Sequence, residues 1–164
     1  MKTETIILAF AIALTGIMAG IFYTWSNAVK PGIGNLIDLE YLRAFQSMNR
    51  VILNQSFKAL FIGAIITTGT LPILYFKQFS NPVFWLFTAC FSIYWIGVFA
   101  VTVLGNIPLN EVLDKSNLDT MSSNDLKVLR SSIEVKWNNF NLVRSISSGL
   151  SFILLIISYL FLNK

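Results

Sequence analysis

The sequence predicts an all-α integral membrane protein. It reads as one membrane domain over residues 1–164, a four-helix bundle with two long, partly helical polar loops on one membrane face. Three observations predict this. Charged residues make up 12% of the chain, against ~25% in soluble domains. Hydrophobic residues make up 55%, and the mean hydropathy is +0.67. Four stretches carry no charge at all: residues 5–25, 59–76, 83–104 and 145–162. Each is ~20 residues long, enough to cross a ~30 Å hydrocarbon core. A helix in a soluble core would need an opposing polar face, and none of the four shows one.

The first stretch follows Lys2 and ends in Tyr23 and Trp25. A cleaved leader is the competing reading, with Ser26-Asn27-Ala28 as its site, but the apolar stretch exceeds the ~7–15 residues of a leader core. Ala9, Ala13, Gly16 and Gly20 repeat at spacings of four, three and four. Small residues on one face let another helix approach closely. The expected use is packing inside the bundle, and the other is a helix-mediated oligomer through Gly16 and Gly20.

The second and third stretches are joined by a tight turn at residues 77–82 containing Asn81-Pro82. The two long loops, residues 26–57 and 105–144, then share one side of the bilayer. That side holds nine Lys and Arg, including Lys58, while Lys2, Lys77 and Lys164 lie on the other. The bias of basic residues toward the cytoplasm places the long loops there, in what reads as a bacterial inner membrane. Tyr23, Trp25 and Trp137 at one boundary, and Tyr75, Trp85 and Tyr159 at the other, fit interfacial belts.

The polar segments carry the candidate chemistry. Residues 38–54 read as an amphipathic helix whose Gln46, Asn49 and Arg50 share a face, expected to be exposed at the membrane surface. Pro108 suits the first turn of a short helix after the third stretch, with Asn106 as its cap. Ser122 or Ser123 can cap a last helix running unbroken to Leu162, with Asp125 in its first turn. On that helix Arg130, Trp137, Asn141, Arg144 and Ser148 fall on one narrow face. They make either an interfacial face whose charged ends reach for water or the wall of a polar pocket. Asn27, Gln46, Asn49, Asn54, Asn106, Asn110 and Asn141 gather at the same membrane side. Amides supply donors and acceptors without charge, for a ligand or for bracing the loops.

The chain has no histidine and one cysteine, Cys90. That excludes a Ser-His-Asp or Cys-His centre, a His-ligated metal, an internal disulfide and a CxxC pair. No metal or cofactor is expected. No run of adjacent Lys or Arg suggests a nucleic-acid partner.

Four motifs in order carry a resemblance. They are Trp25-Ser-Asn27 with Pro31, Gln46-x-Met48-Asn49 with Asn54, Asn106-x-Pro108-Leu109-Asn110-x-x-Leu113, and Trp137-x-x-x-Asn141-x-x-Arg144. Together they resemble the anthrone oxygenase-like family of small integral membrane proteins. The resemblance implies a four-helix membrane fold with paired polar loops. It also implies a possible activity, the oxidation of anthrones by O₂ with no evident cofactor. The enzymatic relatives draw partly on a histidine, and this chain has none. The positions it marks for a small aromatic or lipid-like ligand are Trp25, Asn27, Gln46, Asn49, Asn54, Asn106, Asn110, Trp137, Asn141 and Arg144. Three functions fit: a membrane protein binding such a ligand, a cofactor-independent oxygenase, and a non-catalytic scaffold or partner subunit.

Overall fold

The computed structural model describes residues 3–162 and contains four long helices and a shorter one. Helix α1 runs Thr3–Gly34, α2 Asp38–Ile52, α3 Gln55–Leu74, α4 Pro82–Lys115 and α5 Ser123–Leu162. No strand occurs among the described residues. Helices α1, α3, α4 and α5 are long and apolar enough to cross a membrane, as the charge-free stretches predict. They form a ring in which α1 and α4 each pack against both α3 and α5. Helix α2 lies across the long-loop end, against α5 and the end of α4.

The bundle core is mainly apolar, with buried Thr15, Thr68, Ser148, Ser151 and Ser158 among its apolar side chains. Leu8, Leu71, Phe87, Cys90 and Leu155 fill the short-turn half, and Met18, Phe22, Ala64, Tyr94 and Val98 fill the middle. Phe10, Ile66, Ile73 and Leu160 face outward and exposed, as side chains against lipid should. Asn81 and Asn54 cap α4 and α3 by accepting the backbone N–H of Val83 and Phe57. Ser122 and Asp125 form a reciprocal cap at the start of α5.

Two helices overrun their predicted ends. Helix α1 continues through Trp25 to Gly34, and α4 continues through Asn106 to Lys115. Both do so by widening into π turns, at Trp25–Val29 in α1 and at Trp95–Ala100 and Thr102–Asn106 in α4. Proline explains two of the three. Its ring clashes with the carbonyl four residues back in a regular helix. The residues four before Pro31 and Pro108 are Asn27 and Leu104, and both sit inside a π turn. Asn106 therefore does not start a new helix: its backbone is helical and its side chain makes no capping bond.

The π-turned half of α4 lies close against α5. A Cβ on Gly97 would stand 2.0 Å from Ser147 Oγ, and one on Gly105 2.8 Å from the Phe140 ring. Gly97→Ala should therefore destabilise the protein by about 1–3 kcal/mol through overpacking. Adding Ser147→Gly should recover most of that loss in thermal unfolding. A neutral Gly97→Ala would show that the α4–α5 contact is looser than described.

The small-residue face of α1 only partly packs inside. A Cβ on Gly16 would stand 2.9 Å from Phe152, whereas Ala9, Ala13 and Gly20 are exposed. The aromatic belts also divide. Trp85, Tyr159 and Tyr23 are exposed at the boundaries, but Tyr75 and Trp137 are buried and Trp25 is half-buried.

Candidate functional site

The polar face of α2 docks in part: Asn49 is buried and Gln46 half-buried, while Arg50 stays exposed as expected. Gln46 Nε2 donates to the carbonyls of Leu113 at 2.8 Å and Ser116 at 3.3 Å at the end of α4. Arg50 Nε donates to Asp114 Oδ1 at 2.5 Å, and Arg43 pairs with Asp119. Part of the expected exposed face is thus a contact with the end of α4. An interhelix bond to a carbonyl satisfies an amide as well as water does, so periodicity alone does not separate the two.

The other end of α2 is tied by Arg130. Its guanidinium donates to Glu134 Oε2 at 2.8 Å, Asp38 Oδ1 at 3.1 Å, and the carbonyls of Leu36 at 2.8 Å and Gly34 at 2.9 Å. Its Cζ lies 4.3 Å from the Tyr41 ring centroid. Burial pushes the Tyr41 phenol above its ordinary range, and the Glu134 carboxylate adds to the rise. One arginine therefore joins the end of α1, the start of α2 and the polar half of α5.

Beneath α2, Trp25, Phe45 and Trp137 form a cluster of rings. Centroids are 4.4 Å apart for Trp25–Trp137, 5.0 Å for Phe45–Trp137 and 5.2 Å for Trp25–Phe45. Each indole N–H has a partner: Trp137 Nε1 donates to Asn110 Oδ1 at 2.7 Å, and Trp25 Nε1 to Asn138 Oδ1 at 3.0 Å. Fixed rings with satisfied polar ends make a stiff wall.

That wall borders a cavity of about 590 Å³ reached by all five helices. Phe22 and Trp25 line it from α1, Met48 and Asn49 from α2, and Phe57 and Phe61 from α3. Thr102, Asn106 and Asn110 line it from α4, and Trp137, Asn141 and Arg144 from α5. The volume falls within the ~300–1,000 Å³ of small-molecule sites, and a mostly apolar lining with a few converging polar groups is their usual make-up. No Asp or Glu lines it among the described residues.

Arg144 dominates its chemistry. It is only 5% exposed. Nη2 donates to Asn141 Oδ1 at 3.0 Å, and Nη1 to Thr102 Oγ1 at 3.4 Å. Cζ lies 4.5 Å from the Phe22 ring centroid and 5.1 Å from that of Trp137. No carboxylate pairs with it among the described residues. Desolvating such a cation costs several kcal/mol, while each ring face returns ~0.5–2 kcal/mol. The site therefore holds an undercompensated positive charge.

Three buried polar atoms on the cavity's residues have no partner: Arg144 Nε, Asn49 Nδ2 and Asn106 Oδ1. Buried polar groups are nearly always hydrogen-bonded, so two orphaned donors and one orphaned acceptor around one cavity mark a place for a polar ligand. Asn141 is held in place by donating to the Phe22 carbonyl at 3.0 Å and Ser26 Oγ at 2.9 Å. Asn106 Nδ2 donates to the Trp137 carbonyl at 3.3 Å.

The structure brings together Trp25, Asn49, Asn54, Asn106, Asn110, Trp137, Asn141 and Arg144 around this cavity. Asn27 and Gln46 do not line it: Asn27 is exposed, and Gln46 bonds to the end of α4. Asn54 caps α3 at the rim. Sequence reasoning missed Phe22 and Thr102 beside Arg144, Ser26 and Asn138 as partners of site residues, and Lys58 at the rim. Lys58 was visible as the last charge before the second stretch, and the others lie in apolar or mixed runs without a signal of their own. No cluster of three or more His, Cys, Asp or Glu able to hold a metal occurs among the described residues.

No curated protein and no solved structure matches the chain significantly. A family model described as anthrone oxygenase matches residues 52–154. The match starts at the end of α2 and runs deep into α5, so it includes Asn54, Asn106, Asn110, Trp137, Asn141 and Arg144. It spans well over half of the sequence, and the chain, a helical bundle with four membrane-span-like helices, belongs to the anthrone oxygenase family.

Proposed function

We propose that the cavity binds a small aromatic molecule carrying an ionisable oxygen, set against Arg144. The carrying observation is the buried guanidinium, with no carboxylate partner and an orphaned Nε, on an apolar and aromatic cavity. A ligand anion would supply the missing countercharge, and flat rings would lie between the Phe22, Trp25 and Trp137 walls. Asn49 Nδ2 offers a second donor and Asn106 Oδ1 an acceptor for a ligand hydroxyl.

Family membership favours a second step, reaction of the bound anion with O₂. In an anthrone the ring methylene loses a proton to water, and Arg144 stabilises the resulting enolate oxygen. The enolate carbon gives one electron to O₂, and the two radicals join as a carbon-bound peroxide. Loss of the second C–H proton with O–O cleavage leaves a ketone and releases water. The sum is substrate plus O₂ giving ketone plus water. No carboxylate or histidine lines the cavity among the described residues, so favouring the enolate is the contribution assigned to Arg144.

Purified protein supplied with anthrone should take up O₂ mole for mole with quinone formed, above the uncatalysed rate. Unchanged tryptophan fluorescence on adding anthrone, together with background O₂ uptake, would sink both steps. Binding without excess uptake would leave a ligand-binding protein and remove the oxygenase.

A further inference from the structure

We propose that the cavity fills from the bilayer, through a side opening between α3 and α4, and so takes molecules dissolved in the membrane. This rests on reading the cavity as an aromatic-ligand site. The packing of α4 points there. Helix α3 packs along Pro82–Tyr94, whereas the π-turned segment Trp95–Asn106 packs against α5. The seam is bridged by side chains at Phe61–Phe99, with ring centroids 6.1 Å apart. On the long-loop side of that bridge, the facing surfaces of α3 and α4 are themselves cavity wall.

The rim has the chemistry of a lipid contact. Its exposed apolar side chains include Val51 at 68%, Leu53 at 50% and Ile62 at 53%. Ile62 is one helical turn, ~6 Å, deeper than Lys58. Lys58 also lines the cavity, at the edge of the charge-free stretch, where its ammonium meets headgroups. An opening onto water would leave these apolar side chains in solvent, and a route from the bilayer sets them against lipid instead. On the α1 side, Ile21, Phe57 and Leu60 pack against the middle core cluster.

The arrangement selects for amphiphiles. A planar neutral molecule crosses the apolar rim, and its oxygen meets Arg144 only inside. A permanently charged, fully water-soluble analogue is rejected at the rim, because moving an unpaired charge through apolar surroundings is costly.

The test needs no ligand. In proteoliposomes, Thr102→Cys in a Cys90→Ala protein is exposed either to N-ethylmaleimide or to a sulfonated maleimide. Rates are normalised to Ser123→Cys, an exposed position at the start of α5. The expected result is a preference for the apolar reagent of about tenfold or more. Widening the rim side chains with Ile62→Trp and Ile107→Trp should slow that reagent several-fold and leave the charged one unchanged. Asn49→Cys serves as a second reporter if Thr102→Cys does not fold. Equal normalised rates, or no slowing by the tryptophans, would overturn the proposal, as would silence of both cysteines in folded protein. A failure of ligand binding leaves these rates untouched, and a failure of the route leaves ligand binding intact.

Discussion

Arg144→Met should sharply weaken the binding of an anionic aromatic ligand and at the same time leave the protein as stable as before or more so. Wild-type Arg144 is almost fully buried without a countercharge. Replacing such a cation by an apolar side chain of similar length removes the desolvation cost and stabilises by about 1–3 kcal/mol. Its bonds to Asn141 and Thr102 offset part of that gain. Binding should move the other way. Breaking a desolvated charge pair costs about 2–5 kcal/mol, so affinity for an anionic aromatic falls by about 30-fold or more. Arg144→Lys keeps the charge but loses the planar fork, and should recover only part of the binding. Thermal unfolding and ligand titration on the same samples check both halves. Strong destabilisation with unchanged binding would make Arg144 a structural brace.

Arg130→Ala should be the most destabilising single change outside the bundle core. Four acceptors on three elements lose their donor at once, and the Tyr41 ring loses its cation. Removing one member of a buried network costs about 3–5 kcal/mol, reduced here to about 2–4 because Asp38 and Glu134 keep some contact with water. The Asp38 and Glu134 side chains are 35% and 26% exposed. Arg130→Lys should restore less than half, since an ammonium cannot reach all four acceptors in one geometry. Helix α2 should loosen first, which hydrogen exchange over Asp38–Ile52 would detect. Loss of less than about 1 kcal/mol, the scale of an exposed ion pair, would reduce Arg130 to a surface contact.

The membrane helices were legible because a hydrocarbon surround is what demands ~20 consecutive residues without a charge. Arg144 was legible too: a lone arginine at the start of a charge-free stretch, in phase with Trp137 and Asn141, lies on one helix face by arithmetic. The π turns were not. Two of the three answer the rings of Pro31 and Pro108, and a sequence offers a helix break and a widened turn as equal solutions to a proline. That is why Asn106 read as a cap although it sits within α4, facing Trp137. The docking of α2 was hidden for a related reason. Gln46 and Arg50 look like a solvated face, and only tertiary contact reveals that their partners are Leu113, Ser116 and Asp114. Trp25 and Trp137 carried the sequence signal of a membrane belt, but their indoles are satisfied by Asn138 and Asn110, which lets them turn inward.

The central claim is that Arg144 holds a ligand oxyanion. The most direct test is the ionisation of a bound hydroxylated anthrone, read from its absorbance as pH is varied. The cation favours the charged form, so the ligand should ionise about 1–3 pH units lower in the wild-type protein than in Arg144→Met. The anion band should persist at pH values where the variant shows only the neutral form. Identical titration curves for the ligand in the two proteins would contradict the account.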